Sequence, residues 1–334
     1  AELEEALRDA AAASPGTGEA FDRAYDAVVA TGERWSAGLL GAHLSGGGAD
    51  AVTHDARELI RTDATHREAR VQGEATARAL RAALAPVPGR RHVLPGFIGR
   101  SAEGHTVTLG LEGSDYTAAL AAAATGAASV TLWKNVAGIH TADPALFPDA
   151  ARLPVLDYRE VFQMANYGAK VVHPKTLQPL EESGIPLRVR SFLDPGAPGT
   201  DVGVRPPAEG YPPLRVRVDG LLLVSLRHGA MAYLTERHVA RVFATLREHR
   251  ARTYLTEIGR MTLSVAVAVD PLRRAALIAD LEQSFQVRWN GGLHLLTVRH
   301  PGSTGARAPE GAVVYLEQRS RQTWQCLAGP SAEG

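Results

Sequence analysis

The sequence predicts an α/β layered sheet over its first two thirds and a separate α+β region over its last third. Three observations carry this. Helical and strand patterns alternate up to residue 193, as in α/β layers. A stretch with ten Pro or Gly in twenty residues, DPGAPGTDVGVRPPAEGYPP at 194–213, then breaks the pattern, as loop or linker does. Beyond it the order becomes β-α-β-β-α-β, which is ferredoxin-like.

The elements follow in order. Residues 20–44 read as helix, split near Thr31-Gly32, and SGGGAD is a turn before a short strand, ADAVTHDA. Residues 68–84 predict a helix ended by Pro86 and Pro88, and HVLPGFIG an apolar strand entering a glycine-containing loop. YTAALAAAATG (116–126) is an Ala-rich helix stopped by Gly126, and SVTLWKNV a strand. YREVFQMANYG and KTLQPLEESG are helices ending in glycine, a usual C-terminal signal, and IPLRVRSF is a strand. After the linker come the strand LLLVSLR (221–227), the helix at 235–249, the strands ARTYLTEI and MTLSVAVAV, and the helix PLRRAALIADLEQSF. FQVRW and GLHLLTV read as two strands, then AVVYLEQ and RQTWQCL as two more.

Composition narrows the function classes. The chain has 334 residues, 36 Lys+Arg and 36 Asp+Glu, so it lacks the basic excess of a nucleic-acid binder. Cys326 is the only cysteine, which excludes an internal disulfide and a cysteine-based zinc site. No apolar run reaches the ~18 residues of a membrane span. The acidic, helical AELEEALRD start is not a signal peptide, and a soluble cytoplasmic protein is the expectation. The twelve histidines show no metal-ligand spacing, and no phosphate-loop, nucleophile-elbow or zincin motif occurs. Only three of the basic residues are Lys, namely Lys134, Lys170 and Lys175, all within 42 residues. Lysine is a compact charge suited to phosphate, whereas arginine is a planar fork; chance survival in an arginine-rich chain would give the same pattern.

Three segments could carry chemistry. In TVTLGLEGSDYTAAL, a loop with Gly110 and Gly113 leads into Ser114-Asp115 and a helix. Such a helix start suits an anion, although both residues could equally be plain caps. In SVTLWKNVAGIHTADPALF a strand ends in Lys134-Asn135 before Gly138 and Asp143-Pro144, and ligands of α/β sheets gather at strand ends. In NYGAKVVHPKT, Lys170 follows Gly168 and His173-Pro174 opens a helix. That lysine would serve a nucleotide phosphate or offset a helix dipole.

Together these segments resemble the aspartate kinases of the amino-acid kinase family. TLGLEGSDYTAAL is similar to the signature T-L-G-R-x-G-S-D-Y-T-A, LWKNVAGIHTADP to W-x-D-V-x-G-x-x-x-A-D-P, and YGAKVVHPKTLQPL to F-G-A-K-V-x-H-P-x-T. SFLDPGAPGT resembles the N-P-x-x-x-G-T exit and TGERWSAGLL the G-E-x-x-S helix, with DARELIRTD matching a segment that follows it. VRWNGGLHLLTVRH with YLEQRSRQTWQ resembles most the single-function Bacteroidetes-type enzymes. The resemblance implies an amino-acid-kinase-like α/β/α domain over 1–200, a linker over 201–213 and a ferredoxin-like ACT regulatory region over 214–330. It also implies MgATP-dependent phosphorylation of the β-carboxylate of L-aspartate, at the entry to lysine, threonine and methionine biosynthesis. By the same resemblance Glu33 and Asp115 hold substrate and organise the transfer, Ser114 and Thr117 flank the site, and Gly110 and Gly113 line the loop over the phosphates. Lys134, Asn135, His140 and Lys170 fall where the family contacts nucleotide. No protein ligand set for a resident metal is expected.

Four departures stand out. The family's opening K-F-G-G-T-S strand and loop is not in this sequence, which by the resemblance begins about 60–80 residues into the fold. Leu111 replaces an Arg that binds the aspartate carboxylate, Asn135 an Asp near the ribose, and Ala145 an Arg that meets the phosphates. Losing a paired charge from a desolvated site costs on the order of 2–5 kcal/mol, roughly 30- to 3,000-fold. Three readings follow: an aspartate kinase, a catalytically silent homologue that senses an amino acid or accompanies another kinase, and an amino-acid kinase of altered specificity. The ACT region is expected to pair in a homodimer. It is expected to bind lysine or threonine through Arg227–Thr235 and the turn Thr256–Thr262.

Overall fold

The computed structural model describes residues 2–12, 18–203, 205–206, 210–229, 233–302, 306–308 and 311–329. The chain forms two compact units. The first is built from residues 1–139, 152–166 and 170–208, the second from 140–151, 167–169 and 209–334.

The first unit opens with α1 (Glu2–Ala12) and α2 (Glu19–Gly46). No break occurs at Thr31-Gly32: the Thr31 hydroxyl donates to the Ala27 carbonyl at 3.1 Å and the helix runs through. One glycine in a long helix costs only about 1 kcal/mol, too little to split it. Next come β1 (Ala51–Thr53), α3 (Ala56–Leu59), β2 (Arg61–Thr62) and α4 (Gly73–Ala83). The helix expected from residue 68 starts five residues later, because Ala69 donates to the Thr108 carbonyl and Val71 bridges Thr62. β3 (Arg91–Val93) and β4 (Ile98–Ser101) are two strands where one was expected. Between them Phe97 adopts φ 71°, a left-handed conformation that ends strand pairing. β5 (Thr106–Thr108) precedes α5 (Gly113–Thr125), which Gly126 stops in the left-handed conformation as its sequence predicts. β6 (Val130–Lys134), β7 (Val155–Asp157), α6 (Tyr158–Asn166), α7 (Pro174–Ser183), β8 (Leu187–Ser191) and β9 (Thr200–Gly203) complete the unit. β9 lies inside the stretch read as loop.

Their pairing gives a β1–β3 ladder, a β2–β4–β5 sheet and a β6–β8–β9–β7 sheet. β6 and β8 run parallel, as do β7 and β9. A core around Leu59, Ile60, Leu80, Ile98, Val107 and Leu109 packs behind the glycine loop.

The second unit carries β10 (Leu214–Arg227), α8 (Glu236–Glu248), β11 (Arg252–Ile258), β12 (Thr262–Ala268), α9 (Pro271–Glu282), β13 (Gln286–Arg299), β14 (Val313–Arg319) and β15 (Thr323–Gly329). Its sheet order is β11-β12-β10-β13-β15-β14, antiparallel at every pairing. The first four strands with α8 and α9 are the ferredoxin-like arrangement the sequence predicts. Leu222, Val224 and Leu226 of β10 pack with Val242 and Leu246 of α8 and Leu277 and Leu281 of α9, while Leu221 and Leu223 join the opposite face. Burial on both faces explains the unalternating LLLV run. FQVRW and GLHLLTV are one strand, β13, rather than two. Asn290-Gly291-Gly292 looks like a hairpin turn, but the register shifts opposite it between Val218 and Leu223, so the glycines serve a bulge.

Candidate active site

The first-unit site is built around the start of α5. Gly110 has φ 78° and Glu112, the N-cap residue, φ 55°, so the chain reverses sharply before the helix. Two close approaches fix that reversal. A Cβ on Gly96 would lie 2.6 Å from the Ser114 Cα, and one on Gly113 would lie 2.9 Å from the Phe97 ring. Thr117 locks them: its hydroxyl donates to the Gly113 carbonyl at 2.9 Å and accepts from the Phe97 N–H at 3.2 Å. Thr117 is buried, whereas Ser114 is exposed on the first turn.

α2 anchors the strand that feeds this loop. Asp26 is fully buried and accepts from the Thr108 hydroxyl at 2.7 Å, from the Arg67 N–H at 2.9 Å and from His66 Nδ1 at 2.9 Å. Glu33 lies seven residues further, on the same helical face. It is half-buried, and burial pushes its carboxyl above the usual range. Asp26 was not singled out from sequence; its seven-residue spacing from Glu33 was the available signal.

Lys134, the last residue of β6, reaches the first turn of α5, where its Nζ lies 2.6 Å from Asp115 Oδ2. Both side chains are largely shielded, at 24% and 17% exposure, so the pair is less screened than a surface ion pair. Glu112 stands at the same place. Burial, the largest influence, raises its pKa; the Asp115 charge adds to this, while Lys134 and the His173 N–H oppose it. Its Oε2 is buried without a hydrogen-bond partner. His173 caps α7, its Nδ1 accepting from the Lys175 N–H at 3.2 Å, and Lys175 pairs with Glu68 beside the Gly110 loop at 3.4 Å. The three segments singled out from sequence therefore meet at Asp115, Lys134, Glu112 and His173. Glu112 was not among the candidates, because a signature position that varies freely hides the charge placed there.

The other candidates sit as follows. Leu111 is exposed at 73% and offers no polar group to a carboxylate. Asn135 and Lys170 are exposed. His140 belongs to the second unit. There too, the Asp143 carboxylate accepts from the Ala145 N–H at 2.9 Å and closes a turn. Among the described residues no group of three or more His, Cys, Asp or Glu is placed to hold a metal ion, and no helix is long and apolar enough to cross a membrane.

In the second unit the two segments expected to contact an effector adjoin. Arg227 pairs with Thr262, and the Leu234 N–H donates to the Arg260 carbonyl at 2.8 Å. Residues 230–232 lie outside the described residues.

A glycine loop, an N-terminal helix turn and an acid–lysine pair thus lie together, and residues 2–191 match the amino acid kinase family. The chain belongs to that family. Within it the chain is 33% identical over 286 residues to the lysine-sensitive aspartokinase 3 of Escherichia coli, a match covering 82% of this chain and 62% of that protein. It is 39% identical over 181 residues to the bifunctional aspartokinase/homoserine dehydrogenase 2 of E. coli, covering 54% of this chain and 22% of that protein. It spans less than two thirds of either relative. The crystal structure of E. coli aspartokinase III in complex with aspartate and ADP matches with a TM-score of 0.82 at 29% identity, over 98% of this chain and 76% of that one. The aspartate kinase of Clostridium acetobutylicum shares the fold, with a TM-score of 0.66 at 17% identity.

Proposed function

We propose that the protein is an aspartate kinase, transferring the γ-phosphoryl group of MgATP to the β-carboxylate of L-aspartate. The carrying observation is the shielded Asp115–Lys134 pair on the first turn of α5, behind the Gly110–Gly113 loop. Support comes from the similarity to aspartokinases, one solved with aspartate and ADP.

Phosphoryl transfer needs positioning and charge neutralisation more than covalent help from the protein. Mg2+ would arrive on the nucleotide phosphates and neutralise part of their charge. The α5 N-terminus and Lys134 would stabilise charge on the moving phosphoryl group. Asp115 holds the Lys134 ammonium in place. Glu33 would take the substrate ammonium, Ser114 and Thr117 would shape the aspartate end, and Leu111 leaves its carboxylate without a guanidinium. Asn135 and Lys170 would contact nucleotide. Burial, chiefly, raises the pKa of Glu112, which eases the repulsion its carboxylate would exert on a neighbouring phosphate.

The test is ATP-dependent aspartyl phosphate formation, trapped as the hydroxamate. It would be run on this chain and on a form extended upstream by whatever its gene encodes. Loss of activity by about 10²–10³-fold in Lys134→Met is expected. Folded protein with no hydroxamate in either form would sink the kinase reading.

Leu111 favours a second reading, a catalytically silent homologue that senses an amino acid, or a kinase for a less anionic substrate. Leu111→Arg separates these from the first. It should tighten aspartate use at least tenfold in an active enzyme and do nothing in a silent one.

We further propose catalysis in residues 1–200 and regulation in 214–330. The second unit would pair in a cytoplasmic homodimer and bind lysine or threonine where Leu234 meets Arg260. One E. coli relative is named lysine-sensitive. Absence of any effect of either amino acid on activity and on unfolding temperature would count against this.

A further inference from the structure

The β4–β5 hairpin has two ends. Phe97 and Gly110 mark the end at the candidate active site. The other end, about 13 Å away along β4 at ~3.3 Å per residue, is the turn Ser101–Gly104. A cavity of about 560 Å³ opens there, lined by Arg61, Gln72, Ala75, Arg100, Ser101 and Glu103, among others.

Four features of this cavity favour an anion. Arg61 and Arg100 are direct register partners in the parallel β2–β4 pair, so both side chains leave the same face of the sheet. Like charges placed opposite each other destabilise a sheet, and among the described residues neither arginine has a carboxylate partner. Arg100 is held in place by its Nε–H, which donates to the Gly104 carbonyl at 3.2 Å. Ser101, at 4% exposure, brings a buried hydroxyl to the lining, where its side chain also bonds to the Glu103 carboxylate. Finally, α4 begins at the cavity without a side-chain cap: the Gln72 amide turns instead to the Thr62 carbonyl at 3.1 Å. Glu103 supplies the one opposing charge named in the lining. It is exposed at the rim, and the hydrogen bond from the Ser101 side chain, chiefly, holds its carboxyl below the usual range.

We propose that this cavity is a second ligand site, separate from the kinase site, for a small metabolite presenting a phosphate or carboxylate group to Arg61, Arg100 and Ser101. An oxyanion there would relieve the repulsion of the arginine pair and face the open helix end, with the Ser101 hydroxyl beside it.

The unfolding temperature of the whole chain, titrated with inorganic phosphate and separately with succinate against chloride at constant ionic strength, tests this. A saturable rise with at least one of them is expected, phosphate selectivity marking phosphoryl ligands and succinate selectivity carboxylates. Arg61→Gln and Arg100→Gln should each weaken that response at least about tenfold. Ser101→Ala should weaken it less, and Lys134→Ala, at the other site, should leave it intact. A chain indifferent to both anions, or a response that survives in both arginine variants, would overturn the proposal. So would a response abolished by Lys134→Ala.

Discussion

The two units hold their strands in different ways. Strands of the first unit are two to five residues long, whereas those of the second are seven to fourteen. The long strands are fixed by register and by apolar side chains on both faces. The short ones are fixed by single polar side chains that reach backbone groups: Asp26 to Arg67, Thr117 to Gly113 and Phe97, Thr76 to Arg61, Thr200 to Leu153. A sheet built on register is insensitive to any one polar group. A loop built on polar clamps places backbone atoms accurately, which a phosphate-handling site requires, and it is vulnerable wherever a clamp is removed.

The sharpest way to break this contrast is Asp26→Ala. It leaves the Thr108 hydroxyl, the Arg67 N–H and His66 without their acceptor, and a loss of about 3–5 kcal/mol in urea unfolding is expected. Hydrogen exchange should show the opening confined to residues around 66–67 and 108–113. A loss under about 1 kcal/mol would mean that the apolar core behind the loop, not the clamp, holds it.

The counterpart in the second unit is Leu263→Ala. Leu263 is fully buried beneath α8 and α9, and the cavity left should cost about 3 kcal/mol. Ser225→Ala, removing a hydroxyl contact to Ser264 in the same ladder, should cost well under 1 kcal/mol. If the two losses were similar, polar contacts would matter as much in this sheet as in the loop.

Gly96→Ala tests the close approach at the site. Its Cβ would strike the Ser114 backbone at 2.6 Å, so the α5 turn must shift, at a cost of about 2 kcal/mol. The proposed kinase activity should fall further than stability does, because Asp115 moves with Ser114. Retained activity would show that the turn has slack.

These same particulars explain what was legible in the sequence. Helix ends at Gly126 and Gly184 were readable because glycine in the left-handed region is a local signal. The βαββαβ order was readable because long strands and amphipathic helices carry strong periodicity. The merging of FQVRW with GLHLLTV was not, since Asn-Gly-Gly is locally a turn and only its partner strand makes it a bulge. β9 was hidden in a Pro/Gly-rich stretch because its pairing with β7 and β8 is non-local. The meeting of Asp115, Lys134 and the His173 segment followed from motif resemblance. The Asp26 clamp, whose partners lie 40 to 82 residues away in sequence, did not.

Glu112 gives the smallest effect and separates the loop from the sheet by pH. Burial, chiefly, raises its pKa in the folded chain above the ordinary glutamate value of 4.5. Below that value both folded and unfolded chains hold the proton, and Glu112 costs nothing. As pH rises through the ordinary value and then through the raised one, the unfolded chain ionises first, so the folded chain loses stability relative to it. Glu112→Gln, which cannot ionise, should therefore melt about 1–3 °C higher than the parent at pH 7. That difference should vanish near pH 4. A difference constant across this range would mean that Glu112 acts through its shape in the left-handed turn and not through its charge.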